Sequence, residues 1–183
     1  MFLNQRYEQA SVAFSRAKQN RVVKICDAYF LREKARLIST TTGETRIQAF
    51  VTAAKDFIAC ARDSMSQVNE RLAYYGAAGE CYFEARDLKN AGDNYCTAEQ
   101  YLAAACAYRE GEHFDKMVEV INRHRSDIDD GVVKRLETDA KVYYFKVYFN
   151  SRRTTKSLIL IDSVSKHGVS TSVRLIGVHF PEA

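Results

Sequence analysis

Through the middle of the chain, apolar and small residues recur at i, i+3, i+7 and i+10. Tyr75, Ala78, Tyr82 and Ala85 form one set, and Leu88, Ala91, Tyr95 and Ala98 the next. Tyr101, Ala104, Tyr108 and Gly111 form a third, and Phe114, Met117 and Ile121 a shortened fourth. Each set starts 13 residues after the one before. Tyr7, Ala10, Phe14 and Ala17 repeat the spacing alone near the N-terminus. At 3.6 residues per turn these four positions fall within about 80° of one another, so each set predicts one helix with a single apolar stripe. A helix of about ten residues and a turn of about three makes up the unit. The segments EARD (84–87), TAEQ (97–100) and REGE (109–112) supply small or polar residues for the turns.

Elsewhere the same periodicity holds without the 13-residue register. Val22, Ile25, Cys26 and Tyr29 predict a helix over 22–37, and Ile47, Phe50, Val51, Ala54, Phe57, Ile58 and Ala61 predict another. ISTTTGE (38–44) reads as a loop in which Thr41 and Glu44 form a capping box for the following helix. RDSMS (62–66) and RSDIDDG (125–131) read as breaks, the second leading into a helix carrying Val133, Leu136, Ala140, Tyr143, Tyr144 and Val147. Beyond residue 150 the pattern changes. SLILIDSVSKHGVSTSVRLIGVHF is β-branched and apolar, and reads either as a β-hairpin turning at KHG or as a disordered tail.

One short amphipathic helix cannot bury its stripe alone, whereas stacked helices can. The expected fold is therefore all-α, a TPR-like α-solenoid of short antiparallel helical hairpins. It occupies residues 1–149 as one helical-repeat domain, with 150–183 as a divergent basic tail.

Composition alters this picture little. A single proline and eight glycines suit a helical chain of 183 residues. Residues 1–149 hold 22 Lys/Arg against 21 Asp/Glu, and the net charge of +4 comes mainly from the tail. That is a weaker basic footprint than a nucleic-acid-binding domain usually carries. The five cysteines lie on apolar helical faces without CxxC spacing, which predicts reduced core thiols and an intracellular protein of the cytoplasm or nucleus. No apolar run reaches the roughly 18–20 residues of a membrane span.

The Ala-x3-aromatic-x2-Ala phrase is similar to the second helix of tetratricopeptide repeats, although those repeat about every 34 residues. Over roughly residues 2–149, FLNQRYEQASVAFSRA, DAYFLREKAR, AFVTAAKDFIACA, AGECYFEARDLKNAGDNY and VVKRLETDAKVYYFK resemble segments of the C-terminal helical-repeat region of large fungal UvrD/Rep-like helicases, which are related to TPR and ankyrin repeat-containing proteins. The resemblance implies a parent protein that hydrolyses ATP in a separate helicase core. It implies for this chain a regulatory protein-interaction module, as a fragment or remnant of such a helicase. Those regions continue with further helices, a pattern from which residues after 150 depart.

Candidate chemistry is sparse. A P-loop needs G-x-x-x-x-G-K-[ST], and no glycine here begins one. His113, His124, His167 and His179 lack metal-ligand spacing, and His124 reads as a solvated residue near a helix C-terminus. Asp162, Ser163 and His167 lack the strained turn and oxyanion donors of a triad. Glu80 and Glu84 read as an exposed face, and Arg32, Lys34 and Arg36 as a charged face packing through its aliphatic stems. The expectation is a non-enzyme with no catalytic, cofactor or metal site, which binds a protein partner and not a membrane. The alternative is an accessory nucleic-acid surface formed by Arg123, Arg125, Arg152, Arg153 and Lys156, whose clusters lack interleaved aromatics for base stacking.

Overall fold

The structure, a computed structural model, describes residues 2–38, 43–63 and 66–152. Every regular element among them is helical: α1 (Phe2–Arg16), α2 (Asn20–Leu37), α3 (Gly43–Ala61), α4 (Val68–Glu84), α5 (Leu88–Thr97), α6 (Tyr101–Glu110), α7 (Phe114–Arg123), a 3-10 turn (Arg125–Asp127) and α8 (Asp130–Arg152). The all-α expectation holds for these residues. The Thr41–Glu44 capping box and the β-hairpin or tail from 153 onward lie outside the described residues. Residues 150–152, expected to open the tail, instead belong to α8.

The described residues divide into two compact units, α1 to α6 in the first and α7 to α8 in the second. In the first, helices pack chiefly against their neighbours in sequence: α1 on α2, α2 on α3, and so on to α5 on α6. In the second, α7 packs on α8.

The 13-residue unit appears as expected in α5, α6 and α7, each ten residues long and starting at 88, 101 and 114. It does not describe α1 to α4, which run 15 to 19 residues. The copy at 75–85 is the second half of α4. That helix starts at Val68, where the Gln67 backbone N–H donates to Glu70 Oε2 at 3.1 Å and satisfies a donor at the helix start. Along α4, Tyr82 is buried as the stripe requires, but Tyr75 is only half-buried and its neighbour Tyr74 is buried instead. The stripe is wider than expected because α4 contacts both α3 and α5, which buries Gly76, Ala77, Ala78, Gly79 and Cys81 as well. In α1 the stripe is thinner: Tyr7, Ala10 and Phe14 are half-buried, and Ala17, just past the helix end, is exposed.

Four of the turns share one geometry. Lys18, Arg86, Glu99 and Glu112 have φ between 57° and 62°, and the last three are 13 residues apart. Beside each, the following N–H reaches back to a carbonyl five residues earlier: Asp87 to Tyr82, Gln100 to Tyr95, His113 to Tyr108, each at 2.8–2.9 Å. This is a Schellman closure, which satisfies carbonyls left open at the helix end. Glycine usually occupies the left-handed position, yet long charged residues hold it here. Gly111 sits one place earlier, at φ −84°.

The aromatics of the repeat rest on glycines. A Cβ built at Gly79 would lie 2.7 Å from Tyr95 Cδ1, and one at Gly92 would lie 2.6 Å from Tyr108 Cδ1. The two pairs are related by the same 13-residue shift. Ala105, fully buried, holds the corresponding place in the next copy. Around these seats the first unit is lined by alanines, with Phe50, Phe57 and Cys81 as its largest fully buried side chains. Met117, Ile121, Val133 and Leu136 fill the second.

Candidate functional site

Among the described residues, three surfaces carry more than packing. The first is a belt of arginines and aromatics across α1 to α4. Tyr7 stacks on Tyr29 with centroids 5.4 Å apart, and Tyr29 meets Phe57 edge-on at 4.9 Å. The Arg32 guanidinium lies 5.0 Å from the Tyr29 ring centre, and pairs with Glu33 and with Glu80 Oε2, each at 3.2 Å. Arg36 reaches Glu33 at 2.7 Å and Glu80 at 3.9 Å. Arg46 covers Phe50 at 5.1 Å and pairs with Glu84 at 2.8 Å. Glu80 and Glu84 are exposed as expected, and they also pair from α4 to α2 and α3. Helical spacing could not reveal this, because the partners lie 38 to 48 residues away. The aliphatic-stem reading of Arg32 needs the same addition, since its guanidinium itself lies against rings.

Arg21 binds Ser66 Oγ at 3.3 Å and the Glu70 carboxylate, tying α2 to the start of α4. The hydrogen bond from Arg21 holds Glu70 below the usual carboxylate range.

The second surface is the end of α7. Arg123 pairs with Glu119 at 2.6 Å and Arg125 with Glu137 at 2.7 Å. His124 is half-buried, its Nδ1 3.5 Å from Asp127 Oδ2, and so more enclosed than a solvated residue. The five basic residues of the nucleic-acid alternative are not brought together among described side chains. Arg152 is on α8, and Arg153 and Lys156 lie outside the described residues.

The third surface is the outer side of α8. Phe145 is 62% exposed, Phe149 52% and Val142 48%, and the two phenylalanine rings touch with centroids 4.4 Å apart. The periodicity that marked Val133, Leu136, Ala140, Tyr143, Tyr144 and Val147 as one face passed over this second one, and Val147 is itself exposed.

Buried polar groups are held in their neutral forms. The Tyr108 hydroxyl donates to Asp93 Oδ1 at 2.6 Å, and burial, reinforced by that bond, raises its pKa. Burial pushes the Cys81 thiol up to about 12, which keeps it protonated and a poor nucleophile. All five cysteines are free thiols. No group of three or more metal-capable side chains occurs among the described residues, and no described helix is long and apolar enough to cross a membrane.

No protein-family model, curated protein or solved structure matches the chain.

Proposed function

We propose that this chain is a non-catalytic helical-repeat module, TPR-like and solenoid in design, that binds protein partners. The observation supporting this is a 13-residue recurrence at three levels: ten-residue helices starting at 88, 101 and 114, left-handed closures at 86, 99 and 112, and glycine seats at 79 and 92. Units that pack on their sequence neighbours add surface as they add residues, and such surfaces bind by shape and scattered polar contacts. By its resemblance to the helical-repeat region of UvrD/Rep-like helicases, the module serves as a regulatory arm beside an ATP-hydrolysing core, itself without catalysis.

The nucleic-acid alternative is less well supported. Arg123 and Arg125 are already engaged by carboxylates, which a phosphate must displace. The test is fluorescence anisotropy of the purified chain with labelled single- and double-stranded DNA and RNA at 50 mM salt, alongside an ATPase assay. The module reading expects neither binding nor turnover. Salt-dependent binding would move the function to nucleic acid.

A further inference from the structure

Helix α8 is apolar on two opposite sides. Val133, Leu136, Ala140 and Tyr143 form one side, with Phe114 stacked on Tyr143 at 4.2 Å and Tyr144 donating to Asp115 Oδ1 at 2.6 Å. At 100° per residue, Val142, Phe145 and Phe149 fall about 170° round the helix from that side. A helix apolar on both sides belongs between two partners, and α7 provides one.

We infer that the Val142–Phe145–Phe149 stripe docks an acidic amphipathic helix of a partner protein. This inference rests on the interaction-module reading and names its surface. The three anchors have the i, i+3, i+7 spacing with which one helix receives another. Charge selects the partner. Lys141 and Lys146 are exposed and flank the stripe, and between Asp139 and Asp162 the sequence holds five basic residues and no acidic one. A second copy of α8 would set like charges against like, which opposes self-association. The chain beyond Arg152 is a poor occupant for the same reason, since Arg153, Lys156, Lys166 and Arg174 outnumber Asp162 and Glu182.

The test uses the full chain and two fluorescein-labelled synthetic helical peptides, identical except that one carries glutamates and the other lysines beside a leucine stripe spaced i, i+3, i+7. The glutamate peptide is expected to bind at least ten-fold tighter than the lysine peptide. Phe145→Ser with Phe149→Ser should weaken it at least ten-fold without changing the circular dichroism spectrum, as both rings are exposed. Lys141→Glu with Lys146→Glu should invert the preference, which a mere loss of folding cannot do. Equal binding of both peptides overturns the inference. So does a dimer in sedimentation that the Phe145/Phe149 variant dissolves, or binding to phosphatidylserine vesicles but to neither peptide. A natural partner retained in full by the Phe145/Phe149 variant overturns this surface while leaving the interaction module intact.

Discussion

The Tyr108 ring packs against Gly92, so close that a Cβ there would come within 2.6 Å of it. The Tyr95 ring and Gly79 stand in the same relation one repeat earlier. The repeat is thus a lock between helices as well as a stripe on each: the aromatic of one helix takes the space that the glycine of the preceding helix leaves empty.

Gly92→Ala should therefore destabilise the chain, although alanine is the better helix former by about 1 kcal/mol. Displacing a packed ring costs about 1–3 kcal/mol, and the net loss should appear as a lower denaturant midpoint. Gly43→Ala, which meets nothing within 4 Å, should be neutral or stabilising. Tyr108→Ala added to Gly92→Ala should cost less than the sum of the two single changes, because both break one contact.

The closures make the opposite prediction for the turns. Glu99 holds φ 60°, where a side chain is strained. Glu99→Gly should stabilise by about 0.5–1 kcal/mol in chemical denaturation, and Glu99→Val should destabilise.

Tyrosine burial predicts sensitivity to alkali. Folding raises the pKa values of Tyr95, to about 12, and Tyr108 above the ordinary 10. The folded chain then keeps protons that the unfolded chain releases above pH 10. Stability from these groups is present in full below pH 10 and is lost as pH rises beyond it. The urea midpoint should hold from pH 8 to 9.5 and fall by pH 11. Tyr108→Phe should start lower, having lost the bond to Asp93, and fall less steeply.

In the arginine belt, packing should outweigh charge. Glu80→Gln removes an exposed carboxylate charge and should cost under about 1 kcal/mol. Arg32→Ala also uncovers Tyr29 and Phe57 and should cost more, about 1–3 kcal/mol by thermal or chemical unfolding.

The starts of α5, α6 and α7 were legible in the sequence because stripe and turn are local properties, fixed by residues within one helix. The glycine seats were harder to see, since a glycine inside a helix reads as a weakness. The clue was that Gly79 and Gly92 keep the 13-residue register themselves. The left-handed turns were hidden because Arg86, Glu99 and Glu112 stand where glycine is expected. The pairs Arg32–Glu80 and Arg46–Glu84 join distant segments, which periodicity does not encode. The outer stripe of α8 went unread because the inner one already accounted for a helix.

The most direct measurement is a nuclear Overhauser spectrum of the isotope-labelled chain. The account predicts cross-peaks from the Gly92 Hα protons to the Tyr108 ring and from the Gly79 Hα protons to the Tyr95 ring, with both pairs of Hα shifts displaced by ring current. Ring protons of Tyr95 and Tyr108 without contact to either glycine would contradict it, and the 13-residue unit would then be a sequence pattern without a packing counterpart.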